Sequence, residues 1–390
     1  MMGNVYLIVI DGLGVGAQED ADRYGDENCN TLGHVVEATG CRLPNFQRLG
    51  LGNILPLESV PPTGEPLAAC GKMREISSGK DSTTGHWELA GVVMEAPFPT
   101  YPEGFPDEVI DPFCEGIGAD RVLCNRPYSG TEVIADYGEK HLESGDPIVY
   151  TSADSVFQVA VHQDVATIET LYDWCRFARK EILVGEHGVG RVIARPFVGE
   201  PGSFERISDQ RKDFSLQPPA ENLIAQLQTA GIKTYSIGKV VDLFAGQGFT
   251  QYRKTDHNAE GIAQLLSLMR AAEESFVFTN LIDTDQKYGH RLDPEGFAAC
   301  LQEIDRSLPV MLERLSGKDL LIITGDHGND PTVQSTDHSR EFVPLLVYPA
   351  SAAEKLDLGT RDTFSDVACS VGQYFGIEHS FPGRSFLKGG

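Results

Sequence analysis

The order of apolar segments predicts an α/β fold, a mostly parallel sheet sandwiched by helices and interrupted by a smaller inserted α/β domain. Three observations carry that expectation. Apolar runs at residues 5–10, 276–281 and 320–324 have the unbroken hydrophobicity of strands buried on both faces, and each leads into acidic or histidine residues. Segments with helical spacing alternate with them: Leu223, Ile224 and Leu227; Ile262, Leu265, Leu266 and Met269; Phe297, Leu301, Ile304, Leu308, Leu312 and Leu315. From residue 98 to residue 214 the texture changes to frequent proline and glycine with shorter apolar runs, which reads as the insertion. The remainder, 1–97 and 215–390, then forms one discontinuous core domain.

Composition narrows the class. A chain of 390 residues is long enough for two domains. With 41% hydrophobic and 23% charged residues it reads as globular. No run reaches membrane-span length, and VYLIVI lacks a basic leader and ends at Asp11, so it reads as a strand and not a signal peptide. A cytoplasmic protein without membrane contact is expected. The 8 cysteines are scattered with no C-x-x-C pair, as reduced thiols would be. A net charge of -25 opposes nucleic-acid binding. An anionic substrate would need local positive charge from cations and a few arginines. Nothing in the sequence calls for an obligate protein partner.

In chain order, the first strand is followed by Gly12, Gly14 and Ala17, spaced as in a G-x-G-x-x-G/A dinucleotide turn. That fingerprint needs an apolar-periodic helix next, and the acidic QEDADRYGDEN follows instead. The glycines therefore read as letting backbone pass close to a metal. Residues 44–51 suit a short helix, and residues 71–91 a polar loop leading into helix-forming residues. Ser82, beside Thr83 and Thr84, stands at that helix start. Its hydroxyl either caps the helix or acts as a nucleophile whose phosphoryl group the helix N–H groups would hold. In the insertion, Ser152, Asp154 and His162 lie near a strand, and Arg191, Arg195 and Arg206 either pair with surface carboxylates or recognise phosphate. Beyond it come a helix ended by Gly231, a strand at 234–237 leading to Gly238 and Lys239, and a long helix that Pro309 is expected to kink. A strand at 342–348 and a helix at 364–375 complete the core.

Three strand ends carry the chemistry. The first reaches Asp11, the second Asp283, Asp285 and His290, the third Asp326, His327 and, after a loop, His338. Sites in open α/β sheets form outside the carboxyl ends of the strands, so these tips can converge. Asp11, Asp285, His290, Asp326, His327 and His338 offer oxygen and imidazole ligands enough for two divalent ions.

The motifs GKDSTTGHWELAG, YTSADSV, GRVIARPFVGEPG, NLIDTDQKYGHRLDPEG and TGDHGNDPTVQSTDHSRE occur in that order. On them the chain resembles the phosphopentomutase family of the alkaline phosphatase superfamily, from Val5 to about Phe386. The resemblance implies an alkaline-phosphatase-like core with a cap domain. It implies interconversion of ribose 1-phosphate and ribose 5-phosphate, or of the deoxyribose pair, with pentose phosphates as the small-molecule partners. It further implies two manganese ions, one on Asp285, His290 and His338 and the other on Asp11, Asp326 and His327. Ser82 matches the phosphorylated position, where the family commonly has threonine; with Thr83 and Thr84 adjoining, the hydroxyl used stays open. Ser152, Asp154, Arg191 and Arg206 of the cap and Lys239 of the core match positions that hold the sugar phosphate. Priming by a hexose bisphosphate such as glucose 1,6-bisphosphate is also implied. The rivals are a phosphoglycerate mutase or phosphatase of the same superfamily and a metal-dependent sensor without turnover. The cap motifs and the retained Ser82 favour the pentose enzyme.

Overall fold

The computed structural model describes residues 3–152, 154–271 and 274–389. They form two compact units, Met1–Ala96 with Pro218–Gly390, and Pro97–Gln217. In chain order the strands are β1 (Val5–Ile10) and β2 (Ala69–Met73) in the larger unit. The smaller unit contributes β3 (Leu123–Pro127), β4 (Ile148–Thr151), β5 (Val156–His162), β6 (Arg191–Val198), β7 (Glu205–Arg206) and β8 (Lys212–Ser215). The larger unit resumes with β9 (Lys233–Ile237), β10 (Gln251–Arg253), β11 (Ser275–Leu281), β12 (Leu320–Thr324), β13 (Val343–Tyr348) and β14 (Asp357–Arg361).

The larger sheet has the order β10-β9-β11-β1-β12-β13-β2-β14. Only the pairs made by β13 are antiparallel. The expected α/β class with a mostly parallel sheet is therefore the observed one. Every residue of β1, β11 and β12 is buried, because helices cover both faces. On one face Tyr6, Ile8, Ile10, Val277, Leu321 and Ile323 pack with the helices Thr31–Thr39, Asn258–Ala271 and Pro294–Arg314. Fully burying each such side chain stabilises the fold by about 1.5–3 kcal/mol. On the other face Phe278 meets Phe244, with ring centroids 6.1 Å apart, and the His86 ring, at 5.5 Å. His86 belongs to the helix Ser82–Leu89. Trp87 of the same helix donates from Nε1 to Leu243 O at 2.9 Å.

Three departures from the sequence reading stand out in the larger unit. Residues 69–73 are strand β2 rather than the opening of a polar loop, since Gly71 and Lys72 weaken a strand signal that pairing to β13 and β14 overrides. The helix Thr31–Thr39, capped by the Asn30 side chain on Gly33 N, follows the acidic loop and was not expected. Edge strand β14 was not expected either. The long helix runs through Pro309. Proline lacks the N–H that would reach Asp305 O, and Asn45 Nδ2 donates to that carbonyl instead, at 3.0 Å. The Asp305 carboxylate in turn accepts from Asn45 N at 2.9 Å and Phe46 N at 2.8 Å, capping the helix Pro44–Leu49.

The smaller unit is a sheet of order β3-β4-β5-β6-β7, with β8 also paired to β6. The helices Asp107–Ile117 and Ile168–Phe177 pack on one face and Glu132–Ser144 on the other. Among the described residues no helix is long and apolar enough to cross a membrane. All eight cysteines are free thiols.

Candidate active site

The three ligand-bearing strands β11, β1 and β12 are neighbours at the middle of the sheet, so their carboxyl ends deliver side chains to one place. Asp11 (1% exposed), Asp285 (3%), Asp326 (0%) and His327 (1%) are buried there. The geometry offers two overlapping ligand groups, Asp11, Asp326 and His327, and Asp285, His327 and His338. His327 Nε2 lies 3.4 Å from both Asp11 Oδ1 and Asp326 Oδ2. Asp285 Oδ1 is 3.5 Å from His338 Nε2, and Asp285 Oδ2 is 3.2 Å from His290 Nε2. All six expected ligand residues thus come together, with His327 shared between the groups. Asp283 does not join them: it accepts from Asn258 N at 2.8 Å and pairs with Lys287 at 3.0 Å, which is a structural role.

Neighbouring groups fix how these side chains face. His327 Nδ1 donates to Gly328 O at 3.0 Å and His290 Nδ1 to Thr336 O at 2.7 Å, leaving Nε2 of each as the ligating atom. Gly12 N donates to Asp326 Oδ1 at 3.1 Å. Gly12 has φ +75°, and a Cβ there would come within 3.3 Å of Asp285 Cβ, so glycine does let backbone pass beside a ligand. His86, Asn280 and Asn329 form a supporting layer that the sequence reading did not assign. His86 Nδ1 donates to Ser82 O at 2.8 Å and lies 3.1 Å from Asp326 Oδ2. That tautomer leaves Nε2 to accept from Asn280 Nδ2 at 3.2 Å, and Asn280 Nδ2 also reaches Asp11 Oδ2 at 3.0 Å. Asn329 Nδ2 donates to Asp285 Oδ1 at 2.7 Å. These residues lie inside the same motifs, but only the folded chain shows what they touch.

Charge crowding suits the place to a cation. Burial would lower the His327 imidazole, yet the carboxylates of Asp326, Asp11 and Asp285 raise it well above its ordinary value. Burial and the Asp11 charge push Asp326 up. Asp285 is held well below the usual carboxylate range: burial opposes this, but His338, His290 and His327 outweigh it. Burial, aided by His327, brings His338 down to about 4. Among the described residues Asp11 Oδ1 has no hydrogen bond, and Asp326 Oδ2 has only the His86 Nδ1 at 3.1 Å beside it. Buried carboxylate oxygens with unfilled hydrogen bonding, beside imidazole nitrogens, fit divalent metal ions.

Ser82 lies against this cluster. It is 5% exposed, and its Oγ is 3.1 Å from His327 Nε2. The helix cap is not Ser82 but Asp81, which accepts from Thr83 N at 3.0 Å, Thr84 N at 3.2 Å and Thr84 Oγ1 at 2.6 Å. Capping thus occupies the Thr84 hydroxyl and leaves that of Ser82 directed at the ligands. The helix approaches so closely that a Cβ on Gly85 would sit 2.2 Å from Asp326 O. Lys239 follows β9 in the same unit, and its charge helps hold Asp11 below its ordinary value against burial.

Arg340 ties the segment before Ser82 to the segment carrying His338. Its guanidinium donates to Glu75 O at 2.8 Å, Ser77 O at 2.7 Å, Gly79 O at 2.8 Å and the Glu75 carboxylate at 3.0 Å. Asp26 of the acidic loop accepts from Arg340 N at 2.9 Å and Lys80 Nζ at 3.0 Å. Arg340→Ala would strand Glu75, which is 2% exposed, as an unpaired buried acid. A stability loss of about 3–5 kcal/mol is expected in denaturant unfolding of the larger unit. An unchanged unfolding midpoint would contradict the clamp.

In the smaller unit Ser152, Asp154 and Arg191 come together: Ser152 Oγ accepts from Asp154 N at 3.3 Å, and Arg191 Nη2 is 3.4 Å from Asp154 Oδ2. Arg206 is not with them. It pairs in register with Phe197, further along β6 from Arg191.

A mostly parallel sheet bearing a buried carboxylate and imidazole cluster at its carboxyl end defines a metal-dependent enzyme, and the family model of the Metalloenzyme superfamily matches residues 3–379. Among curated relatives, the phosphopentomutase of Caldanaerobacter subterraneus subsp. tengcongensis is 52% identical over 100% of this chain and 98% of its own. That of Deinococcus radiodurans is 51% identical over 97% and 98%, and that of Acetivibrio thermocellus 49% identical over 99% of each. The chain belongs to the phosphopentomutase family.

Proposed function

We propose that the protein interconverts ribose 1-phosphate and ribose 5-phosphate, and the 2-deoxyribose pair, through a phosphoenzyme on Ser82 and a pentose bisphosphate intermediate. That activity links nucleoside catabolism to the pentose phosphate pathway and operates in the cytoplasm. The observation that carries the mechanism is the Ser82 hydroxyl, 3.1 Å from the ligand His327 and free of the helix cap. Two divalent ions, manganese by family resemblance, would be held by Asp285, His290 and His338 and by Asp11, Asp326 and His327. Bound there, they supply Lewis-acid neutralisation of phosphoryl charge and favour the ionised serine oxygen.

The side chains then have separate tasks. Phosphorylated Ser82 gives its phosphoryl group to the free hydroxyl of a pentose phosphate. One P–O bond to Ser82 breaks as one to the sugar forms, and the hydroxyl proton goes to the serine oxygen. The bisphosphate turns and returns its other phosphoryl group to Ser82, which leaves the isomer. Ser152, Asp154, Arg191, Arg206 and Lys239 hold the sugar phosphate in line, which is most of what phosphoryl transfer asks of a protein. A dephosphorylated chain is primed by glucose 1,6-bisphosphate or a similar hexose bisphosphate.

The test is conversion of ribose 5-phosphate with manganese, with and without glucose 1,6-bisphosphate. Isomerisation stimulated by the bisphosphate is expected. Release of inorganic phosphate and free ribose in its place would make the protein a phosphatase. Arg206→Ala is expected to raise KM for ribose 5-phosphate about tenfold or more with a smaller change in kcat, since a phosphate clamp acts alike in ground and transition states. A variant with normal KM and lost kcat would contradict that role.

A further inference from the structure

The Arg206 end of the smaller sheet holds a buried donor that no described residue satisfies. Tyr150, on β4, is 1% exposed, and among the described residues its hydroxyl has no hydrogen-bond partner. Leaving a buried polar group unsatisfied costs about 1–3 kcal/mol, so an orphan of this kind calls for an occupant that completes it. Its position is defined by Gly130: a Cβ built there would lie 2.9 Å from Tyr150 Oη and 3.4 Å from Arg206 Nη1. Both groups therefore flank one point beside the Gly130 backbone. Gly130 lies just ahead of the 13-residue helix Glu132–Ser144, whose N-cap Thr131 makes no side-chain cap. Val133 N of the first turn donates to Ser129 O at 2.9 Å, so it is the helix dipole that favours an anion at that end, and Glu132 is the one acidic residue of the turn.

The surrounding charge points the same way. Among the described residues Arg206 makes no ion pair, whereas Arg191 faces Asp154 at 3.4 Å and Asp213 at 3.6 Å, and Arg211 binds Asp213 at 2.8 Å. Arg195 donates from Nε to Gln158 Oε1 at 3.0 Å. Burial raises the Tyr150 phenol while Arg195, Arg206 and Arg211 pull it back, with burial dominant, so the group stays a donor at neutral pH. Tyr150 Oη and Arg206 Nη1 thus flank one point, beside the start of a helix. A tetrahedral dianion with three terminal oxygens can meet all of them, whereas a planar carboxylate has two.

We propose that Tyr150, Arg206 and the turn at residues 130–132 form the seat for a phosphate monoester dianion, with Tyr150 donating through its hydroxyl and Gly130 kept free of a Cβ to leave room. The proposal rests on the substrate reading above, in which Arg206 holds the sugar phosphate, and adds Tyr150 and Gly130 as residues that set specificity for the phosphate. The test uses the full chain, titrated calorimetrically with ribose 5-phosphate, ribose and inorganic phosphate, alongside steady-state kinetics, for wild type, Tyr150→Phe and Gly130→Ala. Tyr150→Phe is expected to weaken ribose 5-phosphate binding and raise KM about tenfold, with little change in kcat. It should keep or raise Tm, because it removes an orphaned hydroxyl. Gly130→Ala should weaken binding of ribose 5-phosphate and of inorganic phosphate at least as much. A wild type that isomerises while Tyr150→Phe binds and turns over normally would overturn the seat and spare the mutase reading. A wild type that binds ribose 5-phosphate in a Tyr150-dependent way without isomerising it would overturn the mutase reading and spare the seat. A fall in Tm with unchanged KM would reduce Tyr150 to a structural residue.

Discussion

Asp326→Asn and His338→Ala are each expected to lower kcat/KM by about 10³-fold or more and to lose metal. A Lewis-acid ion is worth several kcal/mol of transition-state stabilisation, and each 1.4 kcal/mol is about tenfold in rate. The two residues belong to different groups, Asp326 with Asp11 and His327, and His338 with Asp285 and His327. Each variant should therefore keep one ion of two when metal is counted by atomic emission after gel filtration. His327→Ala removes a ligand of the ion on Asp11 and Asp326 and should empty that site while keeping the ion on Asp285, His290 and His338. Asp326→Asn conserves shape, and its remaining carbonyl oxygen can still accept from Gly12 N, so folding is expected to survive. Metal stoichiometry unchanged in both single variants would sink the two-ion assignment. Loss of both ions from each would instead make the cluster a single cooperative unit.

How much of this was legible in the sequence depends on what kind of signal each element leaves. The strands β1, β11 and β12 were readable because burial on both faces forces an unbroken apolar run, and the abrupt change to Asp and His at their ends marks the carboxyl edge of a sheet. Strand β2 was not, because Gly71 and Lys72 carry little β propensity and the pairing that holds them is with segments more than 270 residues away in the chain. Pro309 stands out by a local rule, whereas the tertiary contact of Asn45 on Asp305 O, which replaces the hydrogen bond the proline cannot make, leaves no sequence signal.

The site divides in the same way. Ligand-type residues announce themselves by chemistry and place. Asp283 had the right chemistry at the right strand end and still turned out to cap a helix, since which carboxylate faces the cluster depends on the turn after β11. His86, Asn280, Asn329 and Arg340 leave no local signature at all: a buried polar residue can be recognised as a support only when its partner is known. The acidic loop is the plainest case. Nothing in its sequence sets Asp26 apart from the other acids, yet Asp26 is 4% exposed and joins Lys80 to the Arg340 segment.

Ser82→Ala is expected to abolish isomerisation and phosphoenzyme formation while leaving metal content intact, because Ser82 Oγ approaches His327 without belonging to either ligand group. Wild-type protein treated with glucose 1,6-bisphosphate should gain one phosphoryl group on the peptide containing Lys80, Asp81 and Ser82, and fragmentation should place it on Ser82. The reason is geometric. A nucleophile must lie within reach of the cluster and in line with phosphorus, and successive residues on a helix turn away by about 100°, so Thr83 cannot share that position. The Thr84 hydroxyl is held by Asp81 at 2.6 Å. Ser82→Thr should keep phosphorylation and much of the activity if the added methyl group is accommodated, since it preserves the hydroxyl at the same backbone position. Phosphate found on Thr83, or an active Ser82→Ala, would mean that the 3.1 Å approach of Ser82 to His327 does not mark the nucleophile.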